Sequence, residues 1–480
     1  MKIHLLLVFV YLNLQCINAQ VKPELTLTQL QEDYDKLRSA LEEAHGGLYR
    51  FSTKPEMDKR FDEYRKRLDK ITTQRQFIVL LSELLADTRD GHMRLEVDEA
   101  TGAAVTKARL FPFSVQVEGS RLIVVYNETP GNASILPGME ILSINDHKVA
   151  DIIQSILPVL PADGFIKTSK YRRIDRSFAQ YYWLVIDSSS TFSITTKDDA
   201  GKITSAKLNG VVVTDRETNR NNNPVNRQIR TGMATLEGPV ENISLRFING
   251  QAIAQLRIRT FGGQDFTSKL DSVFKAVHDK QTGTFILDLR GNGGGVDEYG
   301  AYLVSQFVNK PFRYFDRIHL STITPSFTSF NENTLQELRA GTITDPNGGF
   351  LVTSKMHSGV GEQQPAKYPF LGKLIVLMDG NTFSTAADVT ATLRHLTKAI
   401  FIGEESGGGY EGNTSGLNAQ LKLPHSKLGL RVQMYEYFNA VIPREKGRGT
   451  LPDYAIEKRV ADLLKGIDQP LTKAIALSSQ

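Results

Sequence analysis

The sequence predicts an α/β protein of several domains: a helical N-terminal domain, a small β module, and a βα-layered core with parallel strands. Short runs with wholly apolar centres at 284–290, 373–379 and 399–405 indicate buried parallel strands, because a strand covered on both faces loses its polar alternation. A helical pattern from Thr385 to Leu396 lies between the last two runs. The chain has 480 residues, more than one core usually holds, so about two to four domains are expected.

The N-terminus has the pattern of a secretory signal peptide at residues 1–19. Lys2 precedes an apolar run, Leu5 to Tyr11, that is too short to span a bilayer. Cleavage near Ala19 would remove Cys16, the only cysteine of the chain. A mature chain without thiols excludes disulfides, cysteine-based metal sites and thiol catalysis. We therefore expect export to the periplasm or cell surface of a bacterium.

Residues 25–98 are predicted to form the helical domain. Apolar side chains recur at helical spacing over 30–41 and again over 61–68. A strongly periodic segment, 76–85, forms the third predicted helix. Its exit loop carries His92, a side chain that titrates near neutrality and is therefore suited to proton transfer.

Residues 108–160 change in character to short predicted strands, such as 111–117. Pro137, Gly138 and Met139 then form a turn that leads into another strand, and this segment resembles the PDZ signature. The resemblance implies a PDZ-like domain whose loop, formed by these three residues, binds a peptide carboxylate through backbone N–H groups. The structural alternative is a β-hairpin that only braces the core.

Residues 161–250 are predicted to form a mixed linker and β region. Strands are expected at 183–186 and 191–195, and the polar segment 216–225 is expected to be a loop. The parallel strands belong to the remaining part of the chain, residues 251–480.

Three glycine-containing motifs follow the apolar runs, at 288–295, 380–388 and 403–412. The second places Ser384 where a strand turns into a helix, near unpaired helical amides that favour negative charge. Serine is also an ordinary residue for starting a helix, so this position alone does not make it a nucleophile. The glycines of 291–295 can bring backbone N–H groups close to a reacting carbonyl, as an oxyanion hole requires. Phosphate binding is disfavoured, because neither a Walker-type loop nor a dinucleotide-binding glycine fingerprint is present.

Together the three motifs resemble those of the tail-specific, or carboxy-terminal processing, serine peptidases. The resemblance makes 251–480 the catalytic domain and Ser384 its nucleophile. Many members pair the serine with a lysine, but the matching position here is Gly409, and segment 403–410 contains no lysine. The chain is therefore more similar to the branch that contains the tricorn protease and the interphotoreceptor retinoid-binding protein repeats.

In the proteolytic members of that branch, a histidine from an N-terminal segment serves as base and a late glutamate assists. The resemblance implies His92 as the base, in an Asp-Gly-His-x-x-Leu pattern, and Glu445 as the assisting acid. It also implies that the backbone N–H groups of Gly294 and Thr385 form the oxyanion hole. Three other glutamates are rivals for the acid role: Glu404, Glu405 and Glu436.

These features predict an exported serine endopeptidase that cleaves peptides or unstructured protein tails by Ser/His acyl-enzyme chemistry. A non-catalytic peptide- or lipid-binding protein on the same scaffold is the alternative, because a fold does not guarantee chemistry. An esterase would use the same parts. No cofactor is implied, and the sequence shows no metal-ligand spacing.

The composition limits the kinds of molecule that the chain is expected to bind. A net charge of +4 at pH 7 is too small to imply nucleic-acid binding. No segment of the mature chain is predicted to span a membrane, so the expected partner is a peptide or unfolded protein substrate. The sequence leaves the oligomeric state, the physiological target and the preferred side chains open.

Overall fold

The computed structural model describes residues 25–237, 241–248, 250 and 252–479. The predicted signal peptide, 1–19, lies outside the described residues. The α-helices are α1 (Leu27–Ala44), α2 (Lys54–Lys66), α3 (Gln74–Asp87), α4 (Glu99–Lys107), α5 (Val149–Ile156), α6 (Thr168–Tyr181), α7 (Val213–Asn222), α8 (Arg227–Glu237), α9 (Phe266–Asp279), α10 (Asp297–Ser305), α11 (Glu332–Gly341), α12 (Thr385–Leu396), α13 (Val460–Lys465) and α14 (Gln469–Ser478).

The β-strands are β1 (Leu95–Glu96), β2 (Phe113–Glu118), β3 (Arg121–Asn127), β4 (Glu140–Ile144), β5 (His147–Lys148), β6 (Thr191–Lys197), β7 (Ile203–Asn209), β8 (Ile243–Ile248), β9 (Ile253–Ile258), β10 (Thr284–Asp288), β11 (Phe312–Arg313), β12 (Phe315–Leu320), β13 (Thr342–Thr344), β14 (Phe350–Val352), β15 (Glu362–Gln363), β16 (Lys373–Met378), β17 (Ile400–Gly403), β18 (Thr414–Lys422), β19 (Gly429–Asn439) and β20 (Tyr454–Ala455). Within the described part of the chain, every helix is too short or too polar to cross a bilayer.

The central element is a six-stranded sheet with the order β20-β17-β16-β10-β9-β8. Neighbouring strands from β20 to β9 run parallel, and the edge strand β8 is antiparallel. Two apolar clusters cover its two faces: α9, α10 and α12 pack on one face and α14 packs on the other. The predicted fold class is thereby confirmed, since the three apolar runs form buried parallel strands.

The N-terminal helices do not close a core of their own. The apolar faces of α1, α2 and α3 share one cluster with β18 and β19, which belong to a second sheet. β1, which follows the loop after α3, pairs directly with β19. The N-terminal segment is therefore fixed against the C-terminal half. This packing places the loop that follows α3 near the parallel sheet.

A third sheet has the order β2-β3-β4-β6-β7, with β5 paired to β4. α5 and α6 pack on it and share its apolar cluster. The sheet continues past residue 160 into β6 and β7, so the segments on both sides of that position form one β module.

Two local predictions in the region 161–250 are wrong. Residues 183–186 lie in a π-helical turn, Tyr182–Ile186, because a short apolar run does not by itself distinguish strand from helix. The predicted loop 216–225 lies largely in α7. Arg216 and Arg220, four residues apart on that helix, both pair with the buried carboxylate of Glu128. Tertiary ion pairs thus stabilise a helix whose polar sequence shows no apolar periodicity.

Candidate active site

Ser384 lies between β16 and α12, at the carboxyl end of the parallel sheet, where ligands of such sheets bind. Its backbone has φ +54° and ψ −133°, a strained conformation for a residue other than glycine. The Ser384 side chain makes no capping hydrogen bond to α12. The ordinary structural role of a serine at a helix start, capping through its side chain, is therefore not observed.

The glycine loop 291–295 packs directly against this turn. A Cβ on Gly294 would stand 2.7 Å from Ser384 Cβ and 3.0 Å from Thr385 N, so the close approach requires glycine. The Gly294 N–H donates to Asn292 Oδ1 at 2.9 Å and is thus already engaged, which departs from its predicted role as an oxyanion donor. The N–H groups of Gly293 and Thr385 donate to no acceptor among the described residues, which makes this pair the better candidate.

Gly294→Ala is expected to lower kcat/KM at least about a hundredfold, since displacing reacting groups by an ångström has effects of that size. The added Cβ would collide with the Ser384 turn, and φ at Gly294 is +101°. The matched variant Gly283→Ala lies before β10, away from this site, and a Cβ there meets no atom within 4 Å, so its activity stays near wild type. Peptide cleavage and urea unfolding of both variants measure the difference. Equal losses in the two variants would contradict the close-approach argument.

His92 lies in the turn after α3, and its ring packs on the ring of Phe383, the residue before Ser384. The ring centroids are 4.5 Å apart and the planes are inclined by 34°. The structure therefore brings the predicted base to the loop of the predicted nucleophile, although the two lie at opposite ends of the sequence.

A buried carboxylate, Asp90, lies beside His92. Its Oδ1 accepts the His92 backbone N–H at 2.7 Å and is 3.7 Å from His92 Nδ1, while its Oδ2 is 3.0 Å from Nε2 of the buried His45. Burial raises the pKa of Asp90, but the interactions with His45 and His92 outweigh this and lower the pKa to about 2. Asp90 is therefore ionised at neutral pH.

The same surroundings act on the imidazole of His92. Burial lowers the pKa of His92, but the interaction with Asp90 and the charge of Asp163 outweigh it, so the pKa lies above its usual value. A carboxylate that orients a histidine and stabilises its protonated form is the arrangement that a general base needs.

Asp163 fixes the loop that precedes the histidine. Its Oδ1 accepts the Gly91 N–H at 2.7 Å and its Oδ2 accepts the Gly409 N–H at 3.1 Å. Gly409 is the residue that the sequence comparison matched to the lysine of lysine-dependent peptidases, and a Cβ there would stand 2.5 Å from a backbone oxygen. A Cβ on Gly91 would reach the Phe383 ring at 2.8 Å. Neither position accepts a side chain, so the packing itself excludes a Ser–Lys pair at this place.

Asp90, His92 and Asp163 each offer one ligand atom, and these atoms lie within 4.8 Å of one another. A mixed set of this kind is chemically able to hold a divalent cation. However, each carboxylate already makes two hydrogen bonds to protein groups. Both carboxylates are thus engaged by protein groups, whereas His92 Nδ1 is buried and makes no hydrogen bond within the described residues.

The structure does not bring Glu445 to His92. Its side chain is 66% exposed and pairs with Arg448 at 3.3 Å, because it lies in a surface turn after β19. The position predicted for the acid is instead filled by Asp90, two residues before the histidine. The three rival glutamates also pair with arginines: Glu404 with Arg172, Glu405 with Arg448, and Glu436 with Arg50.

The predicted carboxylate-binding loop is occupied by its own hydrogen bonds. The Gly138 N–H donates to a carbonyl of β3 at 2.8 Å, the Met139 N–H donates to the Leu136 carbonyl at 3.2 Å, and Pro137 has no N–H. Leu464 of α13 also lies against the loop, since a Cβ on Gly138 would come within 2.9 Å of its side chain. This geometry leaves the loop without a free donor for a peptide carboxylate and favours the bracing alternative.

Asp388 is buried one helical turn below Ser384. It accepts hydrogen bonds from the side-chain amides of Asn413 at 3.1 Å and Asn439 at 3.0 Å. Burial, followed by the charge of Asp297, raises the pKa of Asp388 to about 8, so this carboxyl is mostly protonated at neutral pH.

Asp388→Asn is expected to flatten the dependence of stability on pH. The pKa of Asp388 is about 8 in the folded state but near 3.9 in the unfolded chain, so the folded protein retains a proton that the unfolded chain releases. Asp388 therefore lowers the free energy of unfolding as the pH rises from about 4 to about 8, and a neutral asparagine does not. The gain in Tm relative to wild type is expected to be larger at pH 8 than at pH 5. Thermal unfolding with equal shifts at both pH values would contradict the raised pKa.

Comparisons with known proteins agree with this architecture. Residues 252–456 match the family model described as Peptidase family S41. Mature CPAF aligns with a TM-score of 0.64 at 12% identity, covering 94% of this chain and 96% of that chain. Mature CPAF complexed with lactacystin gives a TM-score of 0.64 at 12% identity, covering 94% and 98%. The photosystem II D1 C-terminal processing protease gives a TM-score of 0.40 at 13% identity, covering 90% and 94%. A comparison with curated proteins finds no match. At these identities the likeness to CPAF shows a shared fold.

Proposed function

We propose that this chain, whose residues 252–456 match the model of Peptidase family S41, is an exported serine endopeptidase that cleaves peptides and unstructured protein tails. One observation carries this proposal: the His92 ring packs against the residue next to Ser384. A strained serine, a histidine with a buried carboxylate, and two unengaged backbone N–H groups are the parts that acyl transfer requires.

In the proposed mechanism, Ser384 Oγ attacks the scissile carbonyl while His92 takes its proton. His92 then returns that proton to the leaving amine, and the acyl-enzyme is released by a water that His92 activates. Asp90 holds the imidazole and stabilises its protonated form. The N–H groups of Gly293 and Thr385 stabilise the oxyanion, where each donor contributes about a hundredfold or more to the rate.

Export is the part of the proposal that rests on the sequence at residues 1–19. In this proposal Asp90, rather than Glu445, is the acid that assists His92, because the exposed side chain of Glu445 pairs with an arginine. No step requires a cofactor.

A fluorophosphonate probe tests the reactive serine directly. The purified mature chain is expected to be labelled, and Ser384→Ala is expected to abolish the labelling. Cleavage of casein or an unstructured peptide then distinguishes a peptidase from an esterase. Labelling that persists in Ser384→Ala overturns the nucleophile. A chain that takes up no probe and cleaves neither peptide nor ester supports the binding-protein alternative.

A further inference from the structure

A half-open cavity of about 430 Å³ lies beside the proposed catalytic residues, with His92, Gly293 and Phe383 in its wall. The cavity is also lined by four arginines, which we term the arginine rim: Arg94, Arg173, Arg176 and Arg431. Three separate parts of the chain supply the rim: the segment after the histidine, α6 and β19. Only the tertiary fold assembles it.

The arginine rim carries more charge than its surroundings balance. Glu96 is the one acidic side chain among the described residues that line the cavity, and it pairs with Arg431 at 2.7 Å. Arg173 donates a hydrogen bond to the carbonyl of Gly91 at 2.7 Å, and this bond fixes its guanidinium at the cleft. Arg94 and Arg176 are exposed and form no ion pair with a described residue. Since the net charge of the whole chain is only +4, this excess is local.

The buried acids near the site do not face the cavity. Asp90 and Asp163 are buried, and neither lines the cavity. Each is engaged by two hydrogen bonds from protein groups, as described above. A peptide in the cavity would therefore meet guanidinium groups rather than carboxylates.

We infer that this cleft selects peptides with carboxylate groups within a few residues of the scissile bond. The inference rests on the proposed function, because it places the scissile carbonyl between His92 and Gly293, which line the same cavity. Guanidinium groups bind carboxylates through paired hydrogen bonds, and a cleft of one charge sign attracts substrates of the other. The carboxylates come either from acidic side chains or from the free C-terminus of the substrate.

Four quenched-fluorescence peptides with one scissile sequence distinguish these sources. Two carry glutamates flanking the scissile bond and two carry glutamines, each with either a free or an amidated C-terminus. At about 50 mM salt, kcat/KM is expected to be about tenfold higher for the glutamate peptides, and the preference shrinks at about 500 mM because exposed charges are screened. If amidation of the C-terminus lowers kcat/KM and the change from glutamate to glutamine does not, the C-terminal carboxylate is the group that the cleft binds.

Charge reversal in the arginine rim tests the residues themselves. Arg176→Glu is expected to lower the ratio of kcat/KM for glutamate over glutamine peptides about tenfold. Arg339→Glu, an exposed arginine of α11 outside the cleft, is the matched control and leaves that ratio unchanged. Probe labelling is measured on each variant. A labelled wild-type enzyme that shows no preference in either comparison overturns this inference alone, whereas an enzyme without labelling or cleavage overturns the proposed function beneath it.

Discussion

Ser384→Ala is expected to lower kcat/KM for peptide cleavage by about 10⁴-fold or more. The hydroxyl forms the acyl-enzyme and a methyl group cannot, so only oxyanion stabilisation and substrate binding remain to accelerate a direct attack by water. The substitution leaves the fold almost unchanged, because alanine meets the same unfavourable φ as serine and the serine side chain makes no capping hydrogen bond. The loss is therefore one of chemistry rather than of stability.

Initial rates with an unstructured fluorogenic peptide and the unfolding temperature measure these two effects separately. Ser272→Ala, at an exposed position of α9, is the matched control and retains the wild-type rate. A Ser384→Ala enzyme that unfolds normally and keeps more than about a tenth of the wild-type activity would contradict the assignment of the nucleophile.

Asp90→Asn is expected to lower kcat/KM by about 10³- to 10⁴-fold, the size of loss seen when the acid of a Ser-His-Asp triad is neutralised. Asp90 holds His92 through the backbone N–H and faces its Nδ1 at 3.7 Å. An asparagine keeps the shape of the side chain but cannot stabilise a protonated imidazole. Glu445→Gln serves as the comparison, and its activity is expected to stay within about twofold of wild type, because surface ion pairs contribute little.

The pH profile separates this role from a structural one. The base must be unprotonated, so kcat/KM of the wild type rises with pH through the raised pKa of His92. Without the charge of Asp90 the pKa of His92 falls, so kcat/KM of Asp90→Asn begins to rise at a lower pH than that of the wild type. Its maximal kcat/KM is also lower. If Glu445→Gln causes the large loss and Asp90→Asn does not, the sequence-based choice of acid is correct and the role of Asp90 is refuted.

Local patterns of the sequence predicted the catalytic half of the fold well. The buried positions of the runs 284–290, 373–379 and 399–405 are apolar except for Thr284 and Asp288, as a parallel strand covered on both faces favours. Their three motifs predicted a resemblance to the tail-specific peptidases, and residues 252–456 match the model of Peptidase family S41. The predictions at 183–186 and 216–225 were wrong because neighbours distant in the sequence decide those conformations, as the ion pairs of Glu128 with α7 illustrate.

Part of the candidate site was likewise predictable from the sequence, and part was not. Ser384 and His92 were visible in motifs, and their roles stay predictions until the enzyme is assayed. Asp90 stood two residues from the histidine, but nothing in a linear pattern says that its carboxylate lies between His45 and His92. The engagement of the Gly294 N–H by Asn292 was equally invisible, because it depends on how the glycine loop folds back on itself.

The sequence by itself determined the layered parallel core, the resemblance of 252–456 to the S41 peptidases and the strand-to-helix position of Ser384, since each depends on residues close together in the chain. The tertiary structure decided which acid stands beside His92, which backbone N–H groups remain unengaged, and how the arginine rim closes around the cleft. The arginine rim joins segments up to hundreds of residues apart, and it forms only when the N-terminal helices pack against β18 and β19 and α6 packs against the β module.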